Sequence, residues 1–274
     1  VKNAPASCEH RRQKQVIGIV GGLGPYAHID LERKLLRAAY EIVGAHADQS
    51  FPEWIVSSAP QTPDRTQAIE GRAPDPTPWL VASVKRLERG RSGRLARGAD
   101  FAIIPCITSH AFFGELRHRT SIDILDMIDE TASYITRLHP RSKVGVLATT
   151  GTLKRRLFHD KLKRHGHAPL SLFDVPDGEE LQRRYVMEAI YGPWRAGRFG
   201  CGGIKSCGPR PEHARLLRKA AKILVDALHV DVIVAGCTEI PLALTKPKIL
   251  GVPLIDPVGV LACAAVRRAY GIGR

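Results

Sequence analysis

VIGIVGGLG (16–24), FAIIPCITSH (101–110) and DILDMIDETA (123–132) recur in the same order as KVGVLATTGT (143–152), DVIVAGCTEI (231–240) and VPLIDPVGVLA (252–262). Gly18 lies 88 residues before Cys106, and Gly145 lies 92 before Cys237. Asp126 follows Cys106 by 20 residues, and Asp256 follows Cys237 by 19. The repeat predicts two similar α/β halves, each with one thiol at the end of a buried strand. If the halves face each other, so do the thiols, an arrangement suited to moving a proton on or off either side of one carbon.

Apolar runs of strand length alternate with longer helical patterns, which implies βαβ units and parallel sheets. Strands are expected at Val16–Val20, Trp54–Ser58, Ala102–Pro105 and Ile124–Met127, then at Val144–Ala148, Leu170–Phe173, Val232–Ala235 and Leu254–Ile255. Helices are expected at 27–43, 78–97, 110–117 and 128–138, then at 152–165, 178–191, 211–228 and 239–244, with a terminal helix at 258–271. The division that follows is a polar tail (1–15), a first half (16–139 plus 257–274) carrying Cys106, and a second half (140–256) carrying Cys237. In open parallel sheets ligands bind beyond the carboxyl ends of strands. Gly21–Gly24, Cys106–Ser109, Thr149–Thr152 and Cys237–Glu239 all lie there.

Composition narrows the classes. The chain has 274 residues, 44% of them hydrophobic, which is enough for two cores. No apolar run approaches the ~20 residues of a membrane span, and the polar, basic stretch 1–15 is not expected to act as a secretory signal. No membrane association is expected. The net charge is +14 but dispersed, with clusters at Arg11–Lys14, Lys85–Arg97, Lys154–Arg164 and Arg210–Lys222. Solvated helix faces account for the last three. Aromatics make up only 6% and no recognition motif is present, so no specific nucleic-acid partner is expected. A positive field also suits a small anionic substrate.

Six cysteines without a secreted-domain pattern fit reduced thiols and a cytoplasmic location. Cys201 and Cys207, in GCGGIKSCGPRP (200–211), have no zinc-pair spacing, so no metal is expected. Cys8 reads as tail and Cys263 as helix core. The turn VGGLGP (20–25) lacks the register of a dinucleotide fingerprint. Gly22 is instead expected to let the backbone approach a small ligand. A cysteine after an apolar strand is usually a small buried hydrophobe. Two at matching places in a repeat, each followed by hydroxyls, point to chemistry. The helix starts after each strand should favour thiolate over thiol.

The chain resembles the aspartate/glutamate racemase family of cofactor-independent amino-acid racemases. The matching stretches are GIVGGLGP, TPDRT (62–66), IPCITSH, ILDMIDETA, VGVLATTGT, AIYGPWRAG (189–197), GCTEIPL (236–242) and PLIDP, in the family's order. The resemblance implies two pseudo-symmetric α/β halves (Rossmann- or flavodoxin-like parallel sheets) with the active site between them, no pyridoxal phosphate or other cofactor, and a homodimer. It implies racemisation of an acidic amino acid, aspartate or glutamate, with Cys106 and Cys237 as thiolate base and thiol acid whose depressed pKa values bring the base into range near neutral pH. Thr108 and Ser109 would bind substrate from the first half, and Thr149, Thr152 and Thr238 from the second. Arg65 would clamp a carboxylate, although a surface arginine paired with Asp64 is the competing reading. Arg195 would add a second charge. His110 and Glu239 would tune the thiols, while Asp126 and Asp256 read as helix caps or organisers of the site.

Two departures from the family stand out. Ile107 follows the first cysteine where Asn is usual, which points to a less polar substrate or to an idle binding protein as alternatives. Arg195 stands where many relatives have Lys. The GRFGCGGIKSCGPRP segment also looks longer than the family norm.

Overall fold

The computed structural model describes residues 14–88 and 98–273. Residues 1–13 of the expected tail, with Cys8, and the end of the helix expected over 78–97 with most of its basic cluster, lie outside the described residues.

Among the described residues, nine strands form the two expected sheets, and eight of them run parallel in two sets of four. β1 (Ile17–Gly21), β2 (Trp54–Ser58), β3 (Phe101–Ile103) and β4 (Asp123–Leu125) are parallel in the order β2-β1-β3-β4. β5 (Lys143–Ala148), β6 (Ala168–Leu170), β9 (Val232–Gly236) and β11 (Val252–Ile255) repeat that order as β6-β5-β9-β11. Between β6 and β9 the chain adds a hairpin, β7 (Trp194–Arg195) with β8 (Arg198–Phe199). A short antiparallel strand, β10 (Lys248–Ile249), extends the second sheet beyond β11. The duplication in sequence is thus a duplication of topology. β3 and β9, which precede the two cysteines, are interior strands buried on both faces.

The helices are α1 (Pro25–Val43), α2 (Arg65–Ile69), α3 (Thr77–Glu88), α4 (Phe113–Arg119), α5 (Met127–Leu138), α6 (Thr150–Lys154), α7 (Leu157–Arg164), α8 (Gly178–Leu181), α9 (Glu188–Tyr191), α10 (Ile204–Cys207), α11 (Pro211–Leu228), α12 (Ile240–Ala243) and α13 (Pro257–Ala269). The final helix crosses back, so that α13 packs on α1 and α5. One core is common to both sheets. Ile17, Ile19, Phe101 and Ile103 of the first sheet join Val144, Val146, Val232 and Val234 of the second, with Leu31, Ile128 and Leu261 among the helical residues between them. The outer faces bury Val20 and Ile104 under α3 and α4, and Ile233 and Ala235 under α11. Among the described residues no helix is long and apolar enough to cross a membrane.

Several boundaries differ from expectation for local reasons. Asp126 ends β4 early because its carboxylate accepts the N–H groups of Ile128 (2.9 Å) and Asp129 (3.1 Å), starting α5. The strand expected over Leu170–Phe173 stops at Leu170. There the Ser171 hydroxyl accepts from Phe173 N–H, and a 3-10 turn follows. The helix expected over 152–165 breaks between α6 and α7, where Arg156 is left-handed (φ 52°). The helix expected over 178–191 carries a π-helical stretch, Gln182–Met187, between α8 and α9.

Candidate active site

Cys106 follows β3 after a tight turn in which its N–H donates to Ile104 O (2.8 Å), and a 3-10 segment, Ile107–Phe112, starts directly after it. Cys237 follows β9 without a break. Both are buried, at 6% and 5% exposure. The helices after them are too short to act as strong dipoles. α12 is a single turn, and the first is a 3-10 segment.

Three hydroxyls join the halves beside Cys106. Thr108 Oγ1 lies 3.1 Å from Thr149 Oγ1 and 3.0 Å from Thr152 Oγ1, which are themselves 3.1 Å apart. Thr149 also caps α6 through Thr152 N–H. On the other side, the Cys237 thiol donates to Glu239 Oε2 (2.9 Å), and Thr238 Oγ1 donates to the same oxygen (3.3 Å). The other oxygen of Glu239 points at the glycine turn of the first half. A Cβ built on Gly24 would stand 2.3 Å from Oε1, and the backbone there, at φ 143°, favours glycine.

Burial, and then the Glu239 carboxylate, push the Cys237 thiol well above its ordinary value. The expectation of a depressed pKa fails for this cysteine. Desolvation opposes the thiolate, and the residue it donates to is an acid.

Arg65 is no surface residue paired with Asp64. It is 5% exposed and donates to the carbonyls of Thr62 (3.3 Å), Pro63 (3.1 Å) and Leu23 (2.5 Å). Burial works against its charge, but the Cys106 sulfur beside it and Asp64 favour the cation. Asp64 caps α2 through Gln67 N–H (3.0 Å) and reaches across to the second half. Its carboxylate accepts from Tyr191 Oη (3.0 Å) and Lys205 Nζ (3.3 Å), and Lys205 Nζ stands 4.6 Å from the Tyr191 ring centre. Burial alone would raise Asp64; the charges of Lys205 and Arg65 outweigh it and hold the carboxyl below its usual range. Burial also opposes the ammonium of Lys205, while Tyr191 and Asp64 raise its pKa and keep it charged.

Two expected residues stand apart from this cluster. Gly22 has φ 80°, and a Cβ there would meet Ala59 N at 2.5 Å, but its N–H donates to His28 Nδ1 (3.1 Å) rather than facing a ligand. Arg195 is exposed on the β7–β8 hairpin, which folds its aromatic side inward by packing Trp194 and Tyr191 on Phe199. The second cation of the cluster is Lys205, from the Gly/Cys-rich segment. His110 is buried with both ring nitrogens on backbone: Nδ1–H donates to Cys106 O (3.1 Å), and Nε2 accepts from Met127 N–H (3.3 Å). Burial lowers its pKa, so it is a neutral brace behind the cysteine loop. Ile107 is fully buried in the core shared by the two halves. Asp126 and Asp256 are both helix caps.

Thr66, Tyr191, Lys205 and Gly24 carried no signal of their own, although TPDRT, AIYGPWRAG and the glycine turn contain three of them. Among the described residues, five buried side-chain polar atoms lack a hydrogen-bond partner. Four belong to this region: Arg65 Nε, Thr66 Oγ1, Ser109 Oγ and Glu239 Oε1. Native proteins rarely leave such groups unpaired. One N–H donor, two hydroxyls and one acid oxygen near two thiols amount to a demand for a small polar ligand.

The sequence profile of the Asp/Glu/Hydantoin racemase family matches residues 20–265. The broad specificity amino-acid racemase RacX of Bacillus subtilis (strain 168) is 22% identical over 92% of this chain and 96% of its own length. Aspartate racemase of Picrophilus torridus is 25% identical and superposes with a TM-score of 0.71, covering 94% of each chain. The fold is also that of an aspartate racemase homologue from Pyrococcus horikoshii OT3 (22% identical, TM-score 0.63, 94% of this chain and 99% of that one).

Proposed function

The chain belongs to the Asp/Glu/Hydantoin racemase family, and we propose that it racemises an acidic amino acid by proton transfer between two cysteines. In one direction Cys106, as thiolate, removes the α-proton and becomes a thiol. Cys237, as thiol, then protonates the opposite face of the carbanion and is left as thiolate. The reverse direction exchanges the roles. A carbanion beside a carboxylate needs fixed positive charge and donors. Arg65 lies beside Cys106, whose sulfur favours the guanidinium charge. Lys205 supplies a second charge, so the cluster suits a substrate with two carboxylates.

The observation that carries this reading is the set of four unpaired buried atoms around the thiols. Donors for carboxylates and an acceptor for an ammonium are both among them. The test is incubation with L- and D-aspartate and L- and D-glutamate in D₂O without added cofactor, following the α-proton by NMR. Exchange with racemisation is expected, reduced by about 10²–10⁴-fold in Cys106→Ala and in Cys237→Ala. Exchange that survives in both variants overturns the two-thiol mechanism. Inertness toward all four amino acids overturns the acidic substrate. The same assay with neutral amino acids tests the wider range that RacX's name describes for that protein.

A further inference from the structure

We propose that Glu239 reads the α-ammonium of the substrate, with Oε1 as its acceptor, while Oε2 holds the proton of Cys237. The inference rests on the reading above that the ligand is an amino acid. It assigns the one part of such a ligand that the two cations cannot bind.

Glu239 is 2% exposed, and its two oxygens differ completely in their surroundings. Oε2 accepts from the Cys237 thiol at 2.9 Å and from Thr238 Oγ1 at 3.3 Å. Oε1 is buried and accepts nothing. A buried anionic oxygen left unpaired is costly, and it needs a cationic donor to complete it. Lys205 lies near enough to feel this charge, but its Nζ donates to Asp64 Oδ2 and to Tyr191 Oη. Asp64, the other carboxylate of the cluster, is already engaged by Lys205, Tyr191 and Gln67 N–H. Oε1 packs against Gly24, where any side chain would collide with it, so the glycine turn of the first half forms the wall beside the unpaired oxygen.

The arrangement has a chemical consequence. The Glu239 charge is one of the two main forces that keep Cys237 protonated in the resting site. An ammonium on Oε1 would neutralise that charge. The thiol could then release its proton to the carbanion more readily. Recognition of the amine and readiness of the acid would be one event.

The test separates binding from turnover. Calorimetry would compare L-aspartate with succinate, which has the same two carboxylates and no ammonium, on the wild-type protein, Glu239→Gln and Glu239→Asp. Wild type is expected to prefer aspartate by roughly tenfold to a hundredfold, the range of a hydrogen bond to a charged group. Glu239→Gln keeps the shape and should erase the preference, chiefly by weakening aspartate and leaving succinate unchanged or tighter. Glu239→Asp keeps the charge on a shorter arm and should retain part of it. An unchanged aspartate-to-succinate ratio in Glu239→Gln, whether both ligands weaken or neither does, overturns the proposal. If no acidic amino acid exchanges in D₂O, the earlier reading of the substrate fails by itself. L-alanine against propionate then puts the same question to Glu239.

Discussion

Arg65 holds a full positive charge at 5% exposure, supported by three backbone carbonyls and the Cys106 sulfur. Lysine would keep the charge but not the planar fork that reaches Leu23 O and Pro63 O together. Arg65→Lys is expected to lose at least one of these charge-assisted bonds and about 1.5–3 kcal/mol of stability in urea titrations. It should also lower racemisation. At Cys237 the prediction concerns pH. Alkylation requires the thiolate, and burial followed by Glu239 raises this thiol. Iodoacetamide should therefore modify Cys237 more slowly than a free thiol at pH 8, with the rate still climbing above the ordinary thiol range near ~8.5. Glu239→Gln removes the second cause, moves the pKa down and should speed modification at pH 8. Peptide mass spectrometry reads both rates, and equal rates in the two proteins would show that Glu239 does not govern this thiol.

Among the elements, α10 matters beyond its single turn because it carries Lys205. Its approach to α9 is set by Gly203, where a Cβ would lie 2.3 Å from Tyr191 C and 2.5 Å from Ile190 O. These are backbone atoms that cannot yield as a flexible side chain does. Gly203→Ala should push α10 off α9, cost about 1–3 kcal/mol, and raise KM by separating Lys205 from Asp64 and Tyr191. An unchanged KM would remove Lys205 from the substrate's path. At α5 the expected effect is purely one of stability. Asp126→Ala removes both cap bonds and should cost about 1 kcal/mol, with kcat little altered.

At the scale of the molecule, the core joining both sheets makes the halves mutually dependent. Strand residues Ile19 and Val234 and the helical residue Leu261 belong to one buried cluster, and α13 rests on α1 and α5. Neither half buries its inner sheet face alone. Unfolding is therefore expected as one transition, with circular dichroism, tryptophan fluorescence and calorimetry coinciding. Two separated transitions would show that each half is stable without the other. The same packing explains how a site between halves keeps its geometry, since the Thr108–Thr149–Thr152 contact lies above the shared core.

The sequence by itself determined the two sheets and the place of each thiol. Apolar runs and spacing are local properties, and a strand buried on both faces has little freedom in where it ends. The repeat fixed β3 and β9 as corresponding strands before any contact was known. Tertiary structure alone decided what surrounds the thiols. Asp64 meets Tyr191 and Lys205 across separations of 127 and 141 residues, which no periodicity encodes. Arg195 is left exposed by the pairing of a short hairpin, and Gly22 N–H donates to His28 in the first turn of the helix that follows. The state of Cys237 is likewise a product of the fold, because desolvation and a neighbouring carboxylate exist only once the chain has closed around them.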